Sequence, residues 1–100
     1  MMELIDRAEF DRLVGHLRSP ATRLLYDELS WMANQSRSVV GLVLRDNTDK
    51  DFAWVLFVRE PDGYATTDMG HSFPSAAAAI ENLNASAPRS PPPAPGQPAP

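Results

Sequence analysis

Residues 39–60 read VVGLVLRDNTDKDFAWVLFVRE, and this stretch decides the fold. Val39–Arg45 and Phe52–Arg59 are runs of branched and aromatic residues, the types that fit a pleated, buried surface. Between them lies Asp46-Asn47-Thr48-Asp49-Lys50-Asp51, made of ordinary turn formers. The pair therefore reads as an antiparallel hairpin. Its apolar residues fall on both faces: Phe52, Trp54, Leu56 and Val58 on one, Ala53, Val55 and Phe57 on the other. A strand covered on one side only should alternate with polar residues. Either helices cover both faces of this hairpin, or one face meets a partner chain.

Working toward the C-terminus, Glu60-Pro61-Asp62-Gly63 predicts a second turn and Tyr64–Met69 a third strand. Ser72-Phe73-Pro74-Ser75 then leads into a helix over about residues 75–84, with Ala76, Ala79, Ile80 and Leu83 as a narrow apolar stripe. Its small alanines allow close approach to the sheet. From Pro88 to Pro100 seven of thirteen residues are proline, a composition that cannot build a core or a ladder. Residues 1–87 are read as one domain and 88–100 as a disordered proline-rich tail.

Toward the N-terminus, Asp6 and Glu9 have capping-box spacing, and Ile5 with Phe10 has the spacing of a hydrophobic staple. Phe10, Leu13, Val14 and Leu17 continue as the apolar stripe of a helix starting near Arg7 and stopping at Ser19-Pro20. Ser19-Pro20 also opens a second helix, roughly residues 20–29, on the spacing of Leu24, Leu25, Glu28 and Leu29. A short strand at 30–33 follows, and Asn34–Ser38 forms the loop into Val39. The expected fold is α+β: an antiparallel three- to four-stranded meander preceded by two helices and followed by one, with the tail beyond.

The bulk properties narrow the function classes. There is no cysteine, which excludes disulfides, thiolate metal sites and cysteine nucleophiles. The N-terminal residues lack the basic and apolar regions of a secretory signal, and the longest apolar runs are far shorter than a membrane span. The expected setting is the cytoplasm, with no membrane partner. The formal charge is −4, and residues 39–87 hold Arg45, Lys50 and Arg59 against seven acids. Such a half repels phosphate, which argues against nonspecific nucleic-acid binding through it.

Each candidate for chemistry has a plainer reading beside it. Asn47, Asp49 and Asp51 have the spacing of the first calcium-loop ligands, but the sixth position is Phe52 instead of Gly and the twelfth is Val58 instead of Glu. Asp68, His71 and Ser72 are the residue types of a hydrolytic triad, yet adjacent His and Ser diverge and no nucleophile elbow is present. Arg45 and Arg59 end the two central strands and stand at opposite ends of the hairpin, each beside an acid, Asp46 or Glu60. Trp31 and Trp54 are core aromatics in the plainer reading and stacking sites in the sharper one. Arg89–Pro95 matches a polyproline ligand, which proline-rich composition alone also explains. No catalytic, cofactor-binding or metal residue is expected, and no cofactor. Trp31, Trp54, Arg45 and Arg59 are the interaction candidates.

From Leu17 to Leu83 the chain resembles a group of small bacterial proteins associated with phages, plasmids and integrated elements. The resemblance is carried by Pro20-Ala21-Thr22-Arg23 with Leu25, by Trp31, by the block from Val39 to Tyr64, and by SFPSAAAAIENL, residues 72–83. Its most specific part is Gly41 to Phe52, with acids at Asp46, Asp49 and Asp51. It implies the α+β meander and a bacterial cytoplasmic setting, and it implies no activity. The expected α-β-β-β-α order is also similar to that of a double-stranded-RNA-binding domain, but the last helix here lacks the basic residues that would meet phosphate.

The functional expectation is a non-enzymatic accessory or regulatory protein acting by protein–protein interaction, with a protein partner or with itself as a homodimer. The alternative is a nucleic-acid-binding factor using the arginines of the N-terminal helices, Arg7, Arg12, Arg18 and Arg23. Those arginines alternate with Glu3, Asp6, Glu9 and Asp11, as on a solvated helix face.

Overall fold

Helix α1 (Arg7–Val14) begins where the capping residues predict. The Asp6 carboxylate accepts from the Glu9 backbone N–H at 2.8 Å, which satisfies one of the orphan donors of the first turn. A 3-10 turn over Gly15–Leu17 follows the helix. These elements come from a computed structural model, which describes residues 2–17 and 24–87. Ser19-Pro20 and the proline-rich tail lie outside the described residues.

The sheet has five antiparallel strands in sequence order: β1 (Glu3–Ile5), β2 (Tyr26–Ala33), β3 (Val39–Asp46), β4 (Phe52–Glu60) and β5 (Gly63–Phe73). A second helix, α2 (Ala76–Ser86), ends the described chain, with Ser75 as its N-cap. The Ser75 hydroxyl accepts from the Ala78 N–H at 3.1 Å. Among the described residues no helix is long and apolar enough to cross a membrane.

This architecture corrects the expected three- to four-stranded meander preceded by two helices. A strand, β1, precedes the first helix, and the sheet has five strands. Residues 26–29 are not helical: they belong to β2 and pair with β3, Tyr26 opposite Asp46 and Glu28 opposite Leu44. Only Leu24 and Leu25 of the expected second helix are helical among the described residues. The physical reason is a bulge. The register shifts between Glu28 and Ser30, so Leu29 is an extra residue that breaks the two-residue alternation. The leucine spacing then imitates a helix, while the backbone bonds to β3 decide the conformation. β1, three residues long, is too short to show a period.

Helices cover both faces of the central hairpin, which answers the question its composition poses. On one face α1 contributes Phe10 and Val14 to a cluster with Ala33, Val40, Leu42, Leu44, Ala53 and Phe57. Phe10 meets Phe57 edge-on, with ring centroids 6.0 Å apart. On the other face α2 contributes Ala79 and Leu83 to a cluster with Met2, Met32, Val39, Val43, Trp54 and Leu56. Approach is close there: a Cβ at Gly41 would lie 3.0 Å from the Leu83 Cδ1. No polar or charged residue is buried among the described residues.

Candidate binding groove

Helix α1 is eight residues long and does not span the face it covers. The register sets out that face in rows across the strands. Ala33, Val40, Phe57 and Thr66 form the row whose ring, Phe57, meets Phe10 of α1. Trp31, Leu42, Val55 and Met69 form the next row, and Glu28, Leu44 and Ala53 the one after. Toward the β4 and β5 ends of these farther rows lies a groove of about 390 Å³. Its floor includes Tyr26, Leu44, Ala53 and Val55; Met69, 60% exposed, lies along one side.

The rim at the sheet end is acidic for a local reason. The β3–β4 turn folds on Asp46, whose carboxylate accepts from the Thr48 and Asp49 N–H groups at 2.8 and 3.2 Å. Lys50 takes a left-handed conformation with φ 62°, and its N–H donates to the Asp46 carbonyl at 2.9 Å. The Asn47 N–H donates to the Leu25 carbonyl at 2.9 Å, tying the turn to the start of β2. In consequence one carboxylate oxygen from each of Asp46, Asp49 and Asp51 lies within 4.8 Å of the others. All three line the groove. Among the described residues none of them forms an ion pair.

Asp46, which precedes the calcium-loop spacing, lies with Asp49 and Asp51 in the carboxylate cluster. Phe52 and Val58 pack in the α2-side cluster. Calcium takes about six to eight oxygen ligands, and three single carboxylate oxygens on a turn supply charge, not a cage. His71 and Ser72 also line the groove, with Nδ1 and Oγ 3.1 Å apart. Both are exposed, and the Asp68 carboxylate accepts from the Met69 N–H at 2.8 Å. A triad needs its acid on the imidazole, and Asp68 is engaged with its own backbone.

The four interaction candidates do not converge. Trp54 is 2% exposed beneath α2, and its indole N–H donates to Asn82 Oδ1 at 2.9 Å. Trp31 lies on the α1 face, half-buried, with its indole N–H on Glu28 Oε1 at 3.3 Å. Arg45, opposite Phe52, lies on the α2 face. Arg59, opposite Tyr64, lies on the α1 face at the other end of the hairpin. Neither arginine forms an ion pair among the described residues. Of the N-terminal arginines, Arg7 pairs with Asp11 one helical turn on, at 3.9 Å, and Arg18 and Arg23 lie outside the described residues. Sequence reading missed Tyr26, Val55 and Met69. The signal for Val55 was there, in the second apolar face of β4; Met69, an apolar residue in a polar strand, was a weaker one.

No protein-family model, no curated protein and no solved structure matches the chain. The groove and its rim therefore carry the functional reading on their own chemistry.

Proposed function

We propose that this protein is a non-enzymatic accessory or regulatory factor that binds a segment of another protein in the groove of the α1 face. The observation that carries this reading is the stretch of sheet beyond α1, where Tyr26, Val55 and Met69 flank a groove edged by acidic residues, whereas the α2 side of the central hairpin is packed by Ala79 and Leu83. Apolar concavities edged by polar groups are the usual form of a ligand site. The two-sided apolar hairpin, which motivated a partner at the level of sequence, no longer carries the argument, because each face has its own helix. The resemblance of residues 17–83 to small phage- and plasmid-associated proteins supports a bacterial, cytoplasmic setting for such a factor.

The test is peptide selection on the immobilised full chain, followed by mapping of amide chemical shifts on addition of a selected peptide. Perturbations at Tyr26, Val55, Met69 and Gly70 are expected. A selection that yields no binder, or binders that perturb only the α2 side around Asn82 and Leu83, rejects the reading.

A further inference from the structure

We propose that the groove takes a cationic peptide segment, one that sets lysine or arginine against Asp46, Asp49 and Asp51 and lays a neighbouring apolar side chain on Val55 and Tyr26. The inference rests on the binding reading above and adds the chemistry of the partner.

Charge decides it. Three carboxylates lie within 4.8 Å of one another at one end of the groove, with no ion pair among the described residues to neutralise them. Like charges held together repel, and a bound cation relieves that repulsion while gaining charge-assisted hydrogen bonds. Lys50 lies on the same turn and, among the described residues, forms no ion pair. The apolar floor beside the rim then asks for more than a cation. A bare metal ion would leave Tyr26, Val55 and Met69 without a role, whereas a peptide with alternating basic and apolar side chains uses both parts. A volume of about 390 Å³ is at the small end of ligand pockets, suited to one or two side chains of a segment. Phosphate-bearing partners are repelled by the rim. A second copy of this chain would bring a net charge of −4 against it.

The experiment is calorimetric titration of the full chain with a seven-residue peptide alternating lysine with leucine and phenylalanine, beside the same peptide with glutamate for lysine. The lysine peptide is expected to bind at least ~10-fold tighter than the glutamate peptide and to weaken with added salt. Replacing Asp46, Asp49 and Asp51 together by Asn keeps the turn's acceptors and should weaken lysine-peptide binding at least ~10-fold. Asp62→Asn with Asp68→Asn, outside the groove, should leave it unchanged. Met69→Glu, at an already exposed position, is expected to weaken the glutamate peptide further. Circular dichroism of each variant checks the fold. If the triple Asn variant binds as the parent does, or if Asp62 and Asp68 matter as much, the cationic assignment is overturned. Glutamate peptides that bind better, and that shift Val55 and Tyr26 amides, overturn the assignment but leave the groove reading standing. Failure of both peptides to bind overturns the cationic assignment, and if peptide selection also yields nothing, the groove reading falls with it.

Discussion

Arg37 illustrates what one side chain can hold together. It sits in the β2–β3 loop with φ 60°, a left-handed conformation that a residue with a side chain adopts rarely. Its guanidinium donates to Glu9 at 2.6 and 3.3 Å, to Glu3 at 2.9 Å and to the Asn34 carbonyl at 2.8 Å. Its own carbonyl accepts from the Tyr64 hydroxyl at 2.6 Å. One residue thereby ties β1, α1, the hairpin loop and β5. Glu9 completes only half of the expected capping box, because its carboxylate goes to Arg37. Arg37→Met is expected to lower the urea midpoint and loosen α1, and Arg37→Lys to recover only part of it, since an ammonium cannot reproduce the fork. The hydrogen bonds that Arg37 donates to Glu9, then to Glu3, raise its pKa above the ordinary value. A raised pKa contributes stability below the unfolded value and loses it only as pH rises through the folded one, so this clamp stays intact through the neutral range. Nothing in the sequence marks Arg37, because its acidic partners lie 28 and 34 residues away. Gly70 is a second case: a Cβ there would fall 2.6 Å from Trp54 Nε1. Gly70→Ala should cost about 1–3 kcal/mol by overpacking. The change is read in the denaturation midpoint and in the near-ultraviolet signal of the tryptophan.

At the scale of elements, the legible parts are those whose signal is local. The three strands from Val39 onward and the last helix follow from branched runs, turn residues and an N-cap serine. Ser75→Ala should lower stability by about 1 kcal/mol, the usual worth of such a cap, measured as a shift of the thermal midpoint. The groove's neighbourhood was less legible than the core. Its lining residues come from four strands, and its rim depends on a turn whose carboxylates converge only once Asp46 caps it. β2 was misread for the same kind of reason. A bulge at Leu29 erased the strand period, and the pairing with β3 that defines β2 is information from another part of the chain. β5 also departs from the regular ladder, with register shifts opposite Phe52/Trp54 and Leu56/Phe57. These bulges and the polar Thr66, Thr67 and Asp68 make the long free edge a poor template for edge-to-edge pairing.

The whole molecule is one sheet with a separate apolar cluster on each side, Phe10 and Val14 centring one and Leu83 and Ala79 the other. Substitutions on opposite sides share no side-chain partner. Phe10→Leu and Leu83→Val should each destabilise by roughly 1 kcal/mol, and the pair should sum to within about 0.5 kcal/mol in a denaturant double-mutant cycle. Two substitutions within the α1-side cluster, Phe10→Leu with Phe57→Leu, should depart from additivity, because those rings touch. The overall class, a small α+β domain with an antiparallel sheet, was readable from composition and hydrophobic pattern alone. Which half of which face remained open was not, because it depends on how far an eight-residue helix reaches across five strands. That partition has a historical consequence. A sheet that isolates its two sides lets them accumulate substitutions on independent schedules. Leu44 and Ala53 belong both to the lining of the groove and to the α1-side cluster, so a change in the groove's shape draws on that cluster's stability and leaves the packing beneath α2 untouched.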